Sequence, residues 1–209
     1  MRAQRERRVD LTIQTSGLAA SIVAGAILIT WTVQAGSAGA AVAAGVYGAS
    51  LVAMFACSTL YAAATAPRRK AVLRVFDHSA IFLLIAGTYT PFCALVVGGW
   101  RGFGLLAGIW LVAAAGILLK ILFRHRPEAV TVALYVALGW AGVVQLDAVI
   151  ERLSPEALTL LMAGGVIYTA GVPVHLRDSI PYNQAIWHGC VFAAAACHYA
   201  SVVLTLAAA

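Results

Sequence analysis

The chain has 209 residues, of which 62% are hydrophobic and only 11% are charged, with a mean hydropathy of +0.91 and a net charge of +6. Soluble domains carry about a quarter charged residues, so a water-soluble fold is excluded and most of this surface belongs in a bilayer. The positive balance needs no nucleic acid, because basic loops beside anionic lipid headgroups account for it.

Seven apolar stretches run in order over 17–35, 39–62, 76–97, 102–121, 129–146, 157–174 and 185–206. Each is near the ~20 residues that cross a hydrocarbon core of ~30 Å. None alternates with a period of two, and only helices or closed barrels satisfy every backbone group in lipid, so the stretches read as helices. The expected fold is all-α: one seven-transmembrane helix bundle over 1–209, with a basic tail at 1–15 and no soluble domain.

The tail carries Arg2, Arg5, Arg7 and Arg8 and reads as a short interfacial lead-in. The first apolar stretch exceeds the 7–15 residues of a signal-peptide core, so it is read as an uncleaved helix. The second stretch ends Ser58-Thr59-Leu60-Tyr61-Ala62. Taken alone, Ser58 is expected to bond back to its own helix. The third opens Phe76-Asp77-His78, where Asp77 is suited equally to capping a helix start or to a functional role. Pro91, after Gly87-Thr88-Tyr89-Thr90, is expected to kink that helix. The fourth and fifth stretches carry little chemistry; His125 is a loop residue, and Asp147 and Glu151 are expected at a wet outer interface. In the seventh stretch Gln184 and His188 lie one turn apart on a shared face, whereas His198, ten residues on, lies ~15 Å deeper and cannot join them. Cys57, Cys93, Cys190 and Cys197 all lie in apolar runs without C-x-x-C spacing and read as small packing residues.

Charge sets the orientation. Twelve of the fourteen basic residues fall on the side of the N-terminus, and only Arg101 and Arg152 on the other. The positive-inside rule then predicts a cytoplasmic N-terminus and an external C-terminus.

The segments Ser58-Thr59-Leu60-Tyr61, Phe76-Asp77-His78, Gly87-Thr88-Tyr89-Thr90-Pro91-Phe92 and Pro181-Tyr182-Asn183-Gln184-Ala185-Ile186-Trp187-His188-Gly189 closely resemble the bacterial hemolysin III family, part of the progestin and adipoQ receptor (PAQR) superfamily. The resemblance runs from about Leu51 to the C-terminus. It implies seven helices, a cytoplasmic N-terminus, and a zinc ion held near the cytoplasmic ends of helices 2, 3 and 7. It also implies lipid chemistry: better-studied members are linked to ceramidase-like hydrolysis through a zinc-bound water, and bacterial members to membrane homeostasis. The sequence departs from the family pattern where the metal is held. Ala62 stands at the His position of helix 2, Gln184 at the first His of H-x-x-x-H, and Ser16 before Gly17 where relatives tend to have His.

Ser58, Asp77, Gln184 and His188 are therefore expected to form one polar cluster, with Asp77 and His188 as an incomplete metal-ligand pair. Catalytic zinc usually has three protein ligands and a water. The leading expectation is a hemolysin III-like protein with a degenerate zinc site, membrane lipids as partners, and a lipid-binding or membrane-homeostasis role in the bacterial inner membrane. The alternative is a zinc-dependent lipid amidohydrolase with altered ligation, which the retained Ser58, Asp77 and His188 support. A weaker third reading is a proton or ion path through Asp77, His188 and His198.

Overall fold

The computed structural model describes residues 2–123 and 128–208; His125 and its neighbours Arg124 and Arg126 lie outside them. Among the described residues there is no strand. The helices are α1 (Arg2–Gln34), α2 (Ala38–Ala63), α3 (Pro67–Pro91), α4 (Gly99–Leu122), α5 (Glu128–Gly139), α6 (Leu146–Arg152), α7 (Pro155–His175) and α8 (Asn183–Ala207). A π-helical turn, Phe92–Val97, continues α3, and a 3-10 turn, Ala141–Gln145, joins α5 to α6. Counting α3 with its π turn, and α5 with α6, as single segments, seven helices among the described residues are long and apolar enough to cross a membrane.

Local chemistry sets the helix ends. Ser37 and Ser154 cap α2 and α7 by accepting from the Ala40 and Ala157 amides. Pro67 and Pro155 occupy first-turn positions, where a missing N–H costs nothing. Pro91 removes a donor near the end of α3, and the backbone there widens into the π turn. The turn into α4 passes through Gly98 (φ 61°) and Gly99 (φ 54°), a left-handed path suited to glycine.

Three expected boundaries shift. The basic segment 68–74 is not a loop but the first turns of α3, so Asp77 lies ten residues inside the helix and caps nothing. Residues from Arg2 are already helical, so the stretch expected as a lead-in is the start of α1. The fifth segment is broken rather than continuous: α5 stops at Gly139. The Tyr89 hydroxyl donates to the Gly139 carbonyl (2.8 Å) and accepts from the Gly142 amide (2.7 Å), which satisfies backbone groups freed by the break.

The core has two parts. The larger joins α1, α2, α3, α7 and α8 around Leu28, Tyr47, Met54, Phe55, Leu84, Trp187 and Val191. The smaller joins α3, α4 and α5 around Phe82, Ile109, Val132 and Tyr135. Phe82 seats its ring on Gly116, where a Cβ would lie 2.5 Å from a ring carbon. The fifth segment packs only lightly on α7, and the Trp140 indole N–H bonds the Thr169 hydroxyl (3.0 Å) between them. At the end of the bundle remote from the N-terminus, Arg101 pairs with the exposed Asp147 (3.0 Å). There Arg152 also donates to the carbonyls of Val96 and Val97.

Candidate functional site

The start of α1, the end of α2, the start of α3, the start of α5, the end of α7 and the start of α8 share one end of the bundle. A polar cavity of about 120 Å³ lies there, and Ser58, Asp77, Gln184 and His188 all line it. Ser58 and Asp77 are buried (3% and 5% exposed), and the Ser58 hydroxyl donates to the Asp77 carboxylate. Ser58 thus bridges α2 to α3, and within its own helix it meets the Met54 sulfur (3.9 Å) and not the expected backbone carbonyl. His188 is equally buried, and its Nδ1 meets the carboxylate of Asp10 from α1. Gln184 is exposed at the cavity edge.

Two further groupings complete this end. Arg7 donates through Nε to the Ala62 carbonyl (3.1 Å) and through Nη2 to the Ala63 carbonyl (2.6 Å), so a guanidinium caps the last turn of α2. Glu128, the first residue of α5, gathers Arg74 and the Nε2 atoms of His175 (3.0 Å) and His78 (3.5 Å). The backbone carbonyl of His78 accepts from the buried Tyr135 hydroxyl (2.7 Å). His78 lines the same cavity as Asp77, but its ring turns to Glu128, about 100° around the helix at one residue later.

Zinc places specific demands on these residues. A catalytic zinc needs three donors at ~2.0–2.3 Å and an open fourth position. Ala62 offers a methyl group, Gln184 a carboxamide at the edge, and the Asp77 carboxylate already accepts from Ser58. Asp10 on His188 Nδ1 is the kind of partner that orients a metal-bound imidazole, but beside Asp77 and His188 the third donor is missing. The Glu128 cluster fits no better. The Nδ1 atoms of His78 and His175 are buried without a hydrogen-bond partner, whereas a metal-bound imidazole almost always donates its second N–H. Among the described residues no group of three His, Cys, Asp or Glu side chains is placed to hold a metal ion.

His198 stands apart, with Nε2 on the Leu161 carbonyl (3.1 Å) and its ring against Gly164, where a Cβ would come within 2.2 Å. Asp10, Arg7, Glu128 and His175 were missed as site residues by sequence reasoning. Asp10 had a legible signal: Asp10, Gln14, Gly17 and Ser21 follow helical spacing, and Gln14 and Ser21 are buried. Glu128 opens α5 and His175 ends α7, and the two become partners only in the folded bundle.

Comparison with known proteins bears on the whole chain. The family model "Haemolysin-III related" matches residues 11–199. Hemolysin-3 of Bacillus cereus is 40% identical over 176 residues, covering 83% of this chain and 80% of that protein. A Hemolysin-3 homolog of Bacillus subtilis is 35% identical over 187 residues, covering 90% and 88%. The human monocyte to macrophage differentiation factor is 31% identical over 174 residues, covering 77% and 69%. With motifs, seven membrane-length helices and family match in agreement, the chain is a multi-pass membrane protein that belongs to the haemolysin-III related family.

Proposed function

We propose that this protein binds membrane lipid within its bundle and serves membrane homeostasis, with a zinc site that has degenerated into a hydrogen-bonded polar cluster. The observation that carries the reading is a pair of adjoining cavities. The polar cavity shares Met54, Ile81, Val132, Tyr135, Trp187 and Val191 as walls with a second, almost wholly apolar cavity of about 230 Å³. That pairing suits an amphiphile, with its headgroup among Asp77, Gln184 and His188 and its chain among apolar side chains. The reading also takes the N-terminal end as cytoplasmic and the inner membrane as the location, on the charge distribution.

The test is lipid retention. The purified protein is extracted and its lipids quantified by mass spectrometry, beside a Val132→Trp variant that fills the shared wall. Lipid retained by the wild type and reduced in the variant supports the reading. Equal amounts in both, or none above a detergent control, overturn it.

A second reading, a zinc-dependent lipid amidohydrolase with altered ligation, is favoured by the retained buried Ser58–Asp77 pair beside His188. In that case Asp77 and His188 would hold the ion, and the ion would activate water for attack on an amide. Fatty acid release from a ceramide that stops on chelation and on His188→Ala would establish it.

A further inference from the structure

We propose that α1 has taken over the cross-linking duty of a metal at this end of the bundle, with Arg7 and Asp10 stapling α2 to α8. A metal ion with ligands on several helices ties those helices through one centre. Here α1 contacts one of the two positions where ligands are absent and lands one turn from the other. Arg7 grips the carbonyls of Ala62 and Ala63, at the turn where the helix-2 imidazole is missing. Asp10 holds His188, one turn from the Gln184 that replaces the other imidazole. Arg7 and Asp10 are three residues apart on a helix that is continuous from Arg2, so they share a face and are held in fixed register.

A third contact from the same helix secures α8 further. Tyr182, the residue before α8, has a left-handed backbone (φ 59°), and its own side chain makes no capping bond to that helix start. Its amide donates to the Glu6 carboxylate (3.4 Å). Glu6 and Asp10 are one turn apart, so α1 holds both the entry to α8 and its second turn. With Ser58 on Asp77 joining α2 to α3, side-chain bonds run unbroken from α8 through α1 and α2 to α3. A tie made of protein groups owes nothing to a chelatable ion.

The inference rests on the same metal-free reading of the site, but its test is mechanical and independent of lipid. The full-length protein in detergent is melted as wild type, Asp10→Asn, His188→Gln and the double variant, each with EDTA and with zinc chloride. We expect the wild-type midpoint to be unmoved by either addition. Each single change should lower the midpoint by several degrees, and the double variant should fall no further than the worse single one, because the partners act as a pair. Arg7→Met should also lower it. A wild-type midpoint that drops in EDTA, or losses that simply add in the double variant, would overturn the proposal. Should the variants not fold, hydrogen exchange over residues 2–15 of the wild type decides: protection unchanged by EDTA supports the staple, and protection lost in EDTA overturns it. Lipid retention measured on the same samples separates failure of the staple from failure of the lipid reading.

Discussion

The double change Ala62→His with Gln184→His, which places imidazoles where the family resemblance implies them, tests the proposed account of the site most directly. Gln184 and His188 already share a face one turn apart, so the new residue 184 would meet His188 without backbone movement. Gln184 is exposed, and its change alone should stay within ~0.5 kcal/mol. Ala62 is 6% exposed and lies in the turn gripped by Arg7, so an imidazole there overfills packed space. Overpacking costs ~1–3 kcal/mol, and an imidazole nitrogen buried without a partner adds ~1–3 kcal/mol. With chelator present the double variant should therefore be less stable than wild type by ~2–6 kcal/mol. Zinc at about a hundred times its dissociation constant should return ~2.7 kcal/mol, because the ion binds only the folded form. The assay is zinc stoichiometry by elemental analysis with melting curves for both proteins, each with and without chelator. A double variant with no zinc-dependent gain would refute the geometric reasoning. Near-stoichiometric zinc in the wild type, lost on His188→Ala, would refute the degenerate-site reading and favour the hydrolase.

Further outcomes are expected. A topology reporter fused after Ala209 should be active only if it is one that works outside the cytoplasm, and cytoplasmic activity there would contradict the seven-span orientation. Asp77→Ala should destabilise by ~1–3 kcal/mol, as the Ser58 hydroxyl loses its acceptor in a buried site; an unchanged melting midpoint would show the pair to be unimportant. Tyr89→Phe should cost ~1–3 kcal/mol by orphaning the Gly142 amide and the Gly139 carbonyl, read as a lowered midpoint. Gly116→Ala should cost ~1–3 kcal/mol, since its Cβ would intrude on the Phe82 ring; a midpoint equal to wild type would mean that α4 shifts freely.

The spans were legible because hydrocarbon imposes one crude demand, length with apolarity, and each stretch met it. The ends were less legible, for a reason visible in α3. Basic residues are welcome at the membrane surface whether they are looped or helical, so the charges at 68–74 marked a boundary of the hydrocarbon and not of the helix. Asp77 consequently looked as well suited to capping a helix start as to a functional role, when it lies within the helix as a buried partner of Ser58. The sequence reading grouped Ser58, Asp77, Gln184 and His188 in one polar cluster but left out Asp10, which holds His188. The partner of His188 lies 178 residues away in a stretch whose arginines drew attention from its one aspartate. Glu128 was hidden similarly, at the edge of an apolar run, as a first-turn acid that a helix start favours anyway. The break in the fifth segment rests on a phenol from the third, and no local rule could find it.

That phenol has a consequence for biogenesis. Tyr89 precedes the break by about fifty residues, so the third segment leaves the ribosome before the fifth exists. Within lipid, a freed carbonyl and amide have no solvent to turn to. Segments that insert first and associate afterwards would enter the bilayer with the fifth as an unbroken helix, and only docking beside Tyr89 makes the interruption affordable. The light packing of this segment on α7 leaves the Trp140 indole to make a side-chain hydrogen bond between them, while its core contacts lie with α3 and α4. The interruption of the fifth segment therefore depends on the third being in place first.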